Sequence, residues 1–156
     1  MDDAASRNTV AVERHIAASP AAVFSFFTDH DRWLSWMGTE GTFSFEPGGA
    51  YRTTVTGEHR AAGRFLAVEP PRRVVFTWGW ESGGTPVAPG SSTVEVTLEP
   101  DGEDTLLRLV HTGLPTPEAG TGHSEGWHHY LDRLAIRARG GDPGPDRWTP
   151  GSGAQG

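Results

Sequence analysis

The chain has 156 residues and a formal net charge of -7, its 13 basic residues are all arginine, and it contains no cysteine. That length suits one domain with a proper hydrophobic core. An acidic surface with no basic stripe argues against nucleic-acid binding, and the absence of thiols excludes disulfides, thiolate catalysis and cysteine-ligated metal.

Glycine (21) and proline (12) are abundant, but six tryptophans and seven phenylalanines indicate an ordered aromatic domain with loose ends. No apolar run approaches the roughly 20 residues needed to span a bilayer, so no membrane association is expected. Met1 to Asn8 is polar, without the apolar stretch of a signal peptide, and reads as a flexible leader. A bacterial, cytoplasmic protein from a GC-rich genome fits this composition.

Val10, Val12 and Ile16 alternate with polar residues and predict a half-buried first strand. Ser19-Pro20 supplies an N-cap and a proline at the first helical position, starting a short helix through Val23, Phe24 and Phe27. Trp33, Trp36 and Met37 share the spacing of a second short helix. After Gly38 the period becomes that of strands. Phe43 and Phe45 share a face, Pro47-Gly48-Gly49 is a turn, and Tyr51, Thr53 and Val55 share a face of the next strand. A strand over Gly63 to Glu69 ends at Pro70-Pro71, and Val74, Phe76, Trp78 and Trp80 line one side of a strongly apolar strand. After a Gly/Pro-rich loop from Ser82 to Ser91, Val94, Val96 and Leu98 alternate with polar positions. Asp101-Gly102 marks a hairpin, and Thr105, Leu107, Leu109 and His111 share a face of the last strand.

Pro115 to Gly122 reads as a loop, followed by a long helix from about Thr121 to Arg139 that Gly140-Gly141 stops. On this helix Trp127, Leu131, Leu134 and Ala138 form one stripe, with Tyr130 and Ala135 beside it and His123 on the same side at its start. His128, His129, Glu125 and Asp132 fall on the outer face. The domain is therefore expected over residues 9–140, with residues 1–8 and 141–156 as flexible ends. Hairpin-linked strands predict an α+β fold, a curved antiparallel sheet of about six to seven strands around the long C-terminal helix.

Three segments, Pro47 to Trp80, Ser92 to Pro115 and His123 to Ala135, together with Ser19 to Gly38, resemble the START-like (SRPBCC) superfamily. They are most similar to the branch named after the activator of heat-shock-protein-90 ATPase. The resemblance spans roughly residues 10–140. It rests on the combination of a Glu-Pro-Pro turn before the Trp strand, a Leu-x-His strand end and a Gly-Trp helix start. It implies a helix-grip fold with a ligand cavity between sheet and helix. Superfamily members bind lipids, polyketides, hormones and quinones, and some cyclise or hydroxylate their substrates, so the resemblance leaves function open.

The aromatic inner faces are composed like a small-molecule pocket, with solid filling of the interior as the alternative reading. The expected partner is a small apolar or aromatic molecule. Its walls would be Phe43, Tyr51, Phe76, Trp78, Trp80, Trp127 and Leu131, its polar contacts His111 and His123, and Trp33 and Trp36 would stand at the mouth or pack their helix onto the sheet. A cavity histidine can orient a carbonyl or act as an acid or base, or simply be a hydrogen-bonded core residue. Arg14, on the inward parity of the first strand, would pair with a ligand carboxylate or with an acidic neighbour. His123, Glu125, His128 and His129 lack the H-E-x-x-H spacing, so no metal is expected, and no other cofactor has a motif. No nucleophile elbow or carboxylate pair is recognisable. The alternatives to a binding protein are a cyclase or dehydratase using His111 or His123 and a chaperone-associated interaction module. A homodimer is compatible with all three.

Overall fold

The computed structural model describes residues 9–56, 59–81, 87–144 and 146. The leader over residues 1–8, residues 82–86 of the loop over 82–91 and the last ten residues of the chain lie outside the described residues.

Seven strands form one antiparallel sheet: β1 (Val10–Ile16), β2 (Glu40–Phe43), β3 (Ala50–Thr56), β4 (His59–Glu69), β5 (Arg73–Trp78), β6 (Ser92–Asp101) and β7 (Asp104–Thr112). Their order is β1-β7-β6-β5-β4-β3-β2, so six strands run as a meander from β2 to β7, and the first strand closes onto the last. Between β1 and β2 lie two short helices, α1 (Pro20–Ser25) and α2 (His30–Trp36), and the chain finishes on α3 (Pro117–Ala138). The expected α+β architecture is the one observed.

Alternation in the sequence becomes a continuous inner face through the strand register. Val10 stands opposite His111, His111 opposite Val94, Val94 opposite Phe76, and Phe76 opposite Phe65, a row of side chains crossing five strands. The neighbouring row is Val12, Leu109, Val96 and Val74. All of these residues are buried. Helix α3 lies over β1 and against α2. It buries Trp127, Leu131 and Leu134 of the stripe expected from its periodicity, together with Tyr130, while Ala138 at the end of the stripe is partly buried.

Five boundaries differ from the sequence reading. Helix α1 stops at Ser25, before Phe27, with Phe26 as its C-cap, and β2 stops at Phe43, before Phe45. Helix α3 begins at Pro117, a turn earlier than Thr121, because Thr116 caps it by accepting from the Ala119 N–H and Pro117 takes the first helical position. This is the Ser19-Pro20 signal of α1 repeated, obscured by Gly120 and Gly122, each of which costs a helix about 1 kcal/mol relative to alanine. Strand β5 ends at Trp78 rather than Trp80. Gly79 lets the Ala88 backbone approach so closely that a Cβ would collide with it, and Trp80 makes only an isolated bridge to Ala61 while its N–H donates to the Val87 carbonyl at 2.7 Å. Strand β4 starts at His59, four residues before Gly63, where the sequence shows no apolar alternation.

Arg14 takes the protein-internal option, its guanidinium meeting Asp132 Oδ1 at 3.1 Å and His128 Nδ1 at 2.7 Å on the outer side of α3. Asp142, Gly144 and Asp146 carry further contacts to that helix: Asp146 accepts from Tyr130 Oη at 2.6 Å and pairs with His129 at 2.8 Å, the Gly144 carbonyl accepts from Arg133 at 3.0 Å, and Asp142 meets Arg137 at 3.7 Å. Burial and the Asp146 carboxylate push the Tyr130 phenol well above its usual range.

Gly38 ends α2 at φ +95°, and a Cβ there would lie 2.8 Å from the Thr54 carbonyl. Gly48 has a similar φ, +88°, with open space around it. Gly48→Ala is therefore expected to cost about 1 kcal/mol, the left-handed strain alone. Gly38→Ala should cost roughly 2–3 kcal/mol, because the strand beside it must also move. Urea unfolding of the two variants measures the difference, and equal losses would contradict the close approach.

Candidate functional site

The residues expected to form the site come together in two ring clusters sharing a border. The first centres on Trp33, which α2 inserts between the helices and the sheet with no exposed surface. Its ring meets Phe43 at 5.0 Å, Phe76 at 5.6 Å, and Trp36 and Tyr51 at 6.0 Å. The second centres on Trp78, which meets Trp127 at 5.2 Å and Trp80 at 5.4 Å. Tyr51 and Phe76 touch both tryptophans and join the clusters. Leu131 is fully buried on α3. Phe43, Trp80 and His123 keep partial exposure at the margins.

Helix α2 is positioned from both ends. Asp29 caps its start, accepting from the Arg32 N–H at 3.0 Å. At its other end Arg133 donates to the Trp36 carbonyl at 3.1 Å and Arg137 to the Ser35 carbonyl at 2.9 Å. Two cations of α3 thus cap the negative end of α2 and hold Trp33 and Trp36 in place.

The two histidines stand edge to face, 5.1 Å between ring centres. An indole N–H can only donate, so its partner nitrogen must be unprotonated. Trp127 Nε1 reaches His111 Nδ1 at 3.0 Å, which places the His111 proton on Nε2. That nitrogen meets Ser92 Oγ at 2.8 Å, and the Ser92 hydroxyl donates to the Trp78 carbonyl at 2.8 Å. Trp80 Nε1 donates to His123 Nε2 at 3.0 Å, so the His123 proton sits on Nδ1, which donates to the Ala119 carbonyl at 2.8 Å. Every ring nitrogen of the pair has a protein partner.

Both imidazoles are held neutral. Burial, reinforced by the neighbouring His123, pushes His111 well below its usual value. Burial lowers His123 against the opposing pull of the Ala119 carbonyl. The Tyr51 phenol, which donates to the Thr77 carbonyl at 2.6 Å, is pushed well up by burial alone.

Two indole nitrogens stand apart from this accounting. Trp36 Nε1 donates to the Phe26 carbonyl at 3.0 Å, but Trp33 Nε1 and Trp78 Nε1 are buried with no acceptor among the described residues. Sequence reasoning placed Trp33 at the mouth or as packing of its helix and Trp78 among the apolar walls, and did not single out their N–H groups. It also missed Phe65 and Ser92. Phe65 is fully buried against Trp33, Tyr51 and Phe76, and it shares parity with Gly63, where Tyr51 pairs. Ser92 has the same parity as Val94 and Val96, a usable signal that its polarity masked. Among the described residues no group of three or more His, Cys, Asp or Glu side chains could hold a metal ion.

The histidine pair carries a pH signature. An unfolded histidine titrates near 6.5, whereas folded His111 and His123 bind protons only at lower pH. Below about pH 6.5 the unfolded chain therefore binds more protons, and stability must fall as pH drops. Melting temperature is expected to be flat above about pH 7.5 and to decline through pH 6 and 5, with a shallower decline in His111→Gln. Exposed His30, raised by Asp31 and the Gly41 carbonyl, contributes the opposite slope in both proteins and cancels from the comparison. Parallel curves for the two proteins would contradict the assignment of His111 as a buried neutral base.

Comparison with known proteins places this geometry. The profile for "Activator of Hsp90 ATPase homolog 1-like protein" matches residues 17–138. The solution structure of an AHSA1-like protein from Rhizobium etli is 50% identical, covers 90% of this chain and 88% of its own, and superposes with a TM-score of 0.71. The crystal structure of CalU16 from Micromonospora echinospora is 28% identical over 85% of this chain and 76% of its own, with a TM-score of 0.68. A protein of Chromobacterium violaceum, CV1439, is 25% identical over 89% of this chain and 99% of its own, with a TM-score of 0.74. Comparison with curated proteins returns no significant match. With its seven-stranded sheet gripping a C-terminal helix and a match over most of its length, the chain belongs to the Activator of Hsp90 ATPase homolog 1-like family of START-like proteins.

Proposed function

We propose that this protein binds a small apolar or aromatic molecule in the aromatic layer between the sheet, α2 and α3. The observation that carries this reading is the pair of buried indole donors, Trp33 Nε1 and Trp78 Nε1, without acceptors. A buried donor left unpaired costs about 1–3 kcal/mol, and native interiors rarely retain one without a reason. Here they are the only buried side-chain nitrogen or oxygen atoms without a partner among the described residues, and both belong to the same ring system. A ligand that places an acceptor against either indole recovers that cost, while the surrounding rings supply the apolar contact.

Two features favour binding over the alternatives. His111 and His123 have their lone pairs occupied by indole N–H groups, so neither offers a ligand a free base in this arrangement. An interaction module needs an exposed apolar patch, yet among the described residues Leu66 is the one large hydrophobic side chain that is exposed.

Native mass spectrometry of gently purified protein is expected to show an adduct of one small, apolar molecule. In ¹⁵N-labelled protein freed of that molecule, adding it back should move the indole resonances of Trp33 and Trp78, assigned through Trp33→Phe and Trp78→Phe. A single apo mass, with no indole resonance moved by millimolar aromatic compounds, would overturn the binding reading.

A further inference from the structure

Resting on that binding reading, we infer that the indole N–H groups of Trp33 and Trp78 are the site's polar recognition elements, selecting an uncharged aromatic ligand that presents carbonyl-type acceptors.

The imidazole acceptors are engaged. His111 Nδ1 takes the Trp127 N–H, and His123 Nε2 takes the Trp80 N–H. The Ser92 hydroxyl gives its proton to the Trp78 carbonyl and stands against His111 Nε2. The remaining donors are also directed into the protein: Tyr51 Oη to the Thr77 carbonyl, Thr53 Oγ1 to the Glu40 carbonyl, Trp36 Nε1 to the Phe26 carbonyl. What is left over is two donors that nothing among the described residues pairs, while the hydroxyl oxygens of Tyr51 and Thr53 are already satisfied as donors. A ligand carbonyl would give either N–H its acceptor, which a ligand without an acceptor cannot do.

Charge is excluded by the same count. The buried polar side chains among the described residues are Thr53, Thr54, Ser92, Thr105 and His111, with no carboxylate, guanidinium or ammonium group among them. The nearest candidate counter-ion named from the sequence, Arg14, is committed to Asp132 and His128 outside the layer. A ligand carboxylate or ammonium would lose its hydration with nothing to replace it.

Planarity follows from the walls. Both donors sit against the same two rings: Trp33 lies 6.0 Å from Tyr51 and 5.6 Å from Phe76, and Trp78 lies 6.5 Å and 6.3 Å from them. A molecule held by either indole is thus in contact with aromatic faces and edges, which favour a ring over a flexible chain.

Three probes of matched shape test this with the full-length protein. Benzophenone has two rings and a carbonyl, diphenylmethane the same rings with no acceptor, and 2-benzoylbenzoate adds a carboxylate. Benzophenone is expected to bind at least tenfold more tightly than either of the others and to move the indole ¹H resonance of Trp33 or Trp78 downfield. In Trp78→Phe or Trp33→Phe, checked for folding by circular dichroism, its advantage over diphenylmethane should shrink. The ratio of the two affinities is the readout, since loss of ring volume weakens both. The indole shifts are read on the unsubstituted protein, so they stand even if a variant fails to fold. Equal binding of benzophenone and diphenylmethane would overturn acceptor selection and leave the binding reading intact. Tighter binding of 2-benzoylbenzoate would overturn selection against charge. Failure of both neutral probes to bind at their solubility limits would overturn the binding reading together with the inference.

Discussion

The bond from Trp127 of α3 to His111 of β7 organises the interior, because it decides which nitrogen of a fully buried imidazole carries the proton. From that decision follow the contact with Ser92, the commitment of the Ser92 hydroxyl to the Trp78 carbonyl, and the joining of β5, β6, β7 and α3 through side chains. The parallel bond from Trp80 to His123 ties the end of β5 to the first half of α3 in the same manner. Neither imidazole can take up a proton without turning an acceptor into a second donor facing an indole N–H. The low dielectric around them adds to that penalty. Two aromatic residue types thus do for one another what backbone and water do elsewhere.

A second dependence runs through α2. That helix is only seven residues long and would have little stability alone. It persists because Trp33 and Trp36 are packed without exposure and because Arg133 and Arg137 satisfy the carbonyls at its end. The same two arginines connect α2 to α3, so the helix that carries Trp33, the centre of the first ring cluster, is held by cations from the second half of α3. The layer between sheet and helices is consequently continuous from Phe43 at one margin to His123 at the other, crossing Trp33, Tyr51, Phe76, Trp78 and Trp127.

Family membership sets the fold and leaves the chemistry to the site. What distinguishes this interior is the imbalance in its polar groups: histidines, serine and tyrosine all paired, and two indole N–H groups unpaired. An interior built only for stability gains by pairing such donors or replacing them with phenylalanine. Their retention is what the proposed ligand explains.

How much of this could be read from the residues alone varies with the range of the signal. Strand faces, the Ser19 cap of α1, the hairpin at Gly102 with its φ of +64°, and the Trp127-Leu131-Leu134 stripe are all local or periodic. The repeats of 2.0 and 3.6 residues reveal such features without a partner. The start of α3 was also written locally, in Thr116-Pro117, but two glycines inside the first turns hid it. Tryptophans 33, 36, 78 and 127 were recognisable as inward-facing, yet which indole would find an acceptor was not. Trp80 and His123 are 43 positions apart, and Arg133 reaches a carbonyl 97 positions away. The sequence by itself determined which faces are buried, because burial follows from composition and period. Only the tertiary structure decided which buried donors are paired, because a hydrogen bond depends on the placement of two atoms to within a few tenths of an ångström, and periodicity carries no such information.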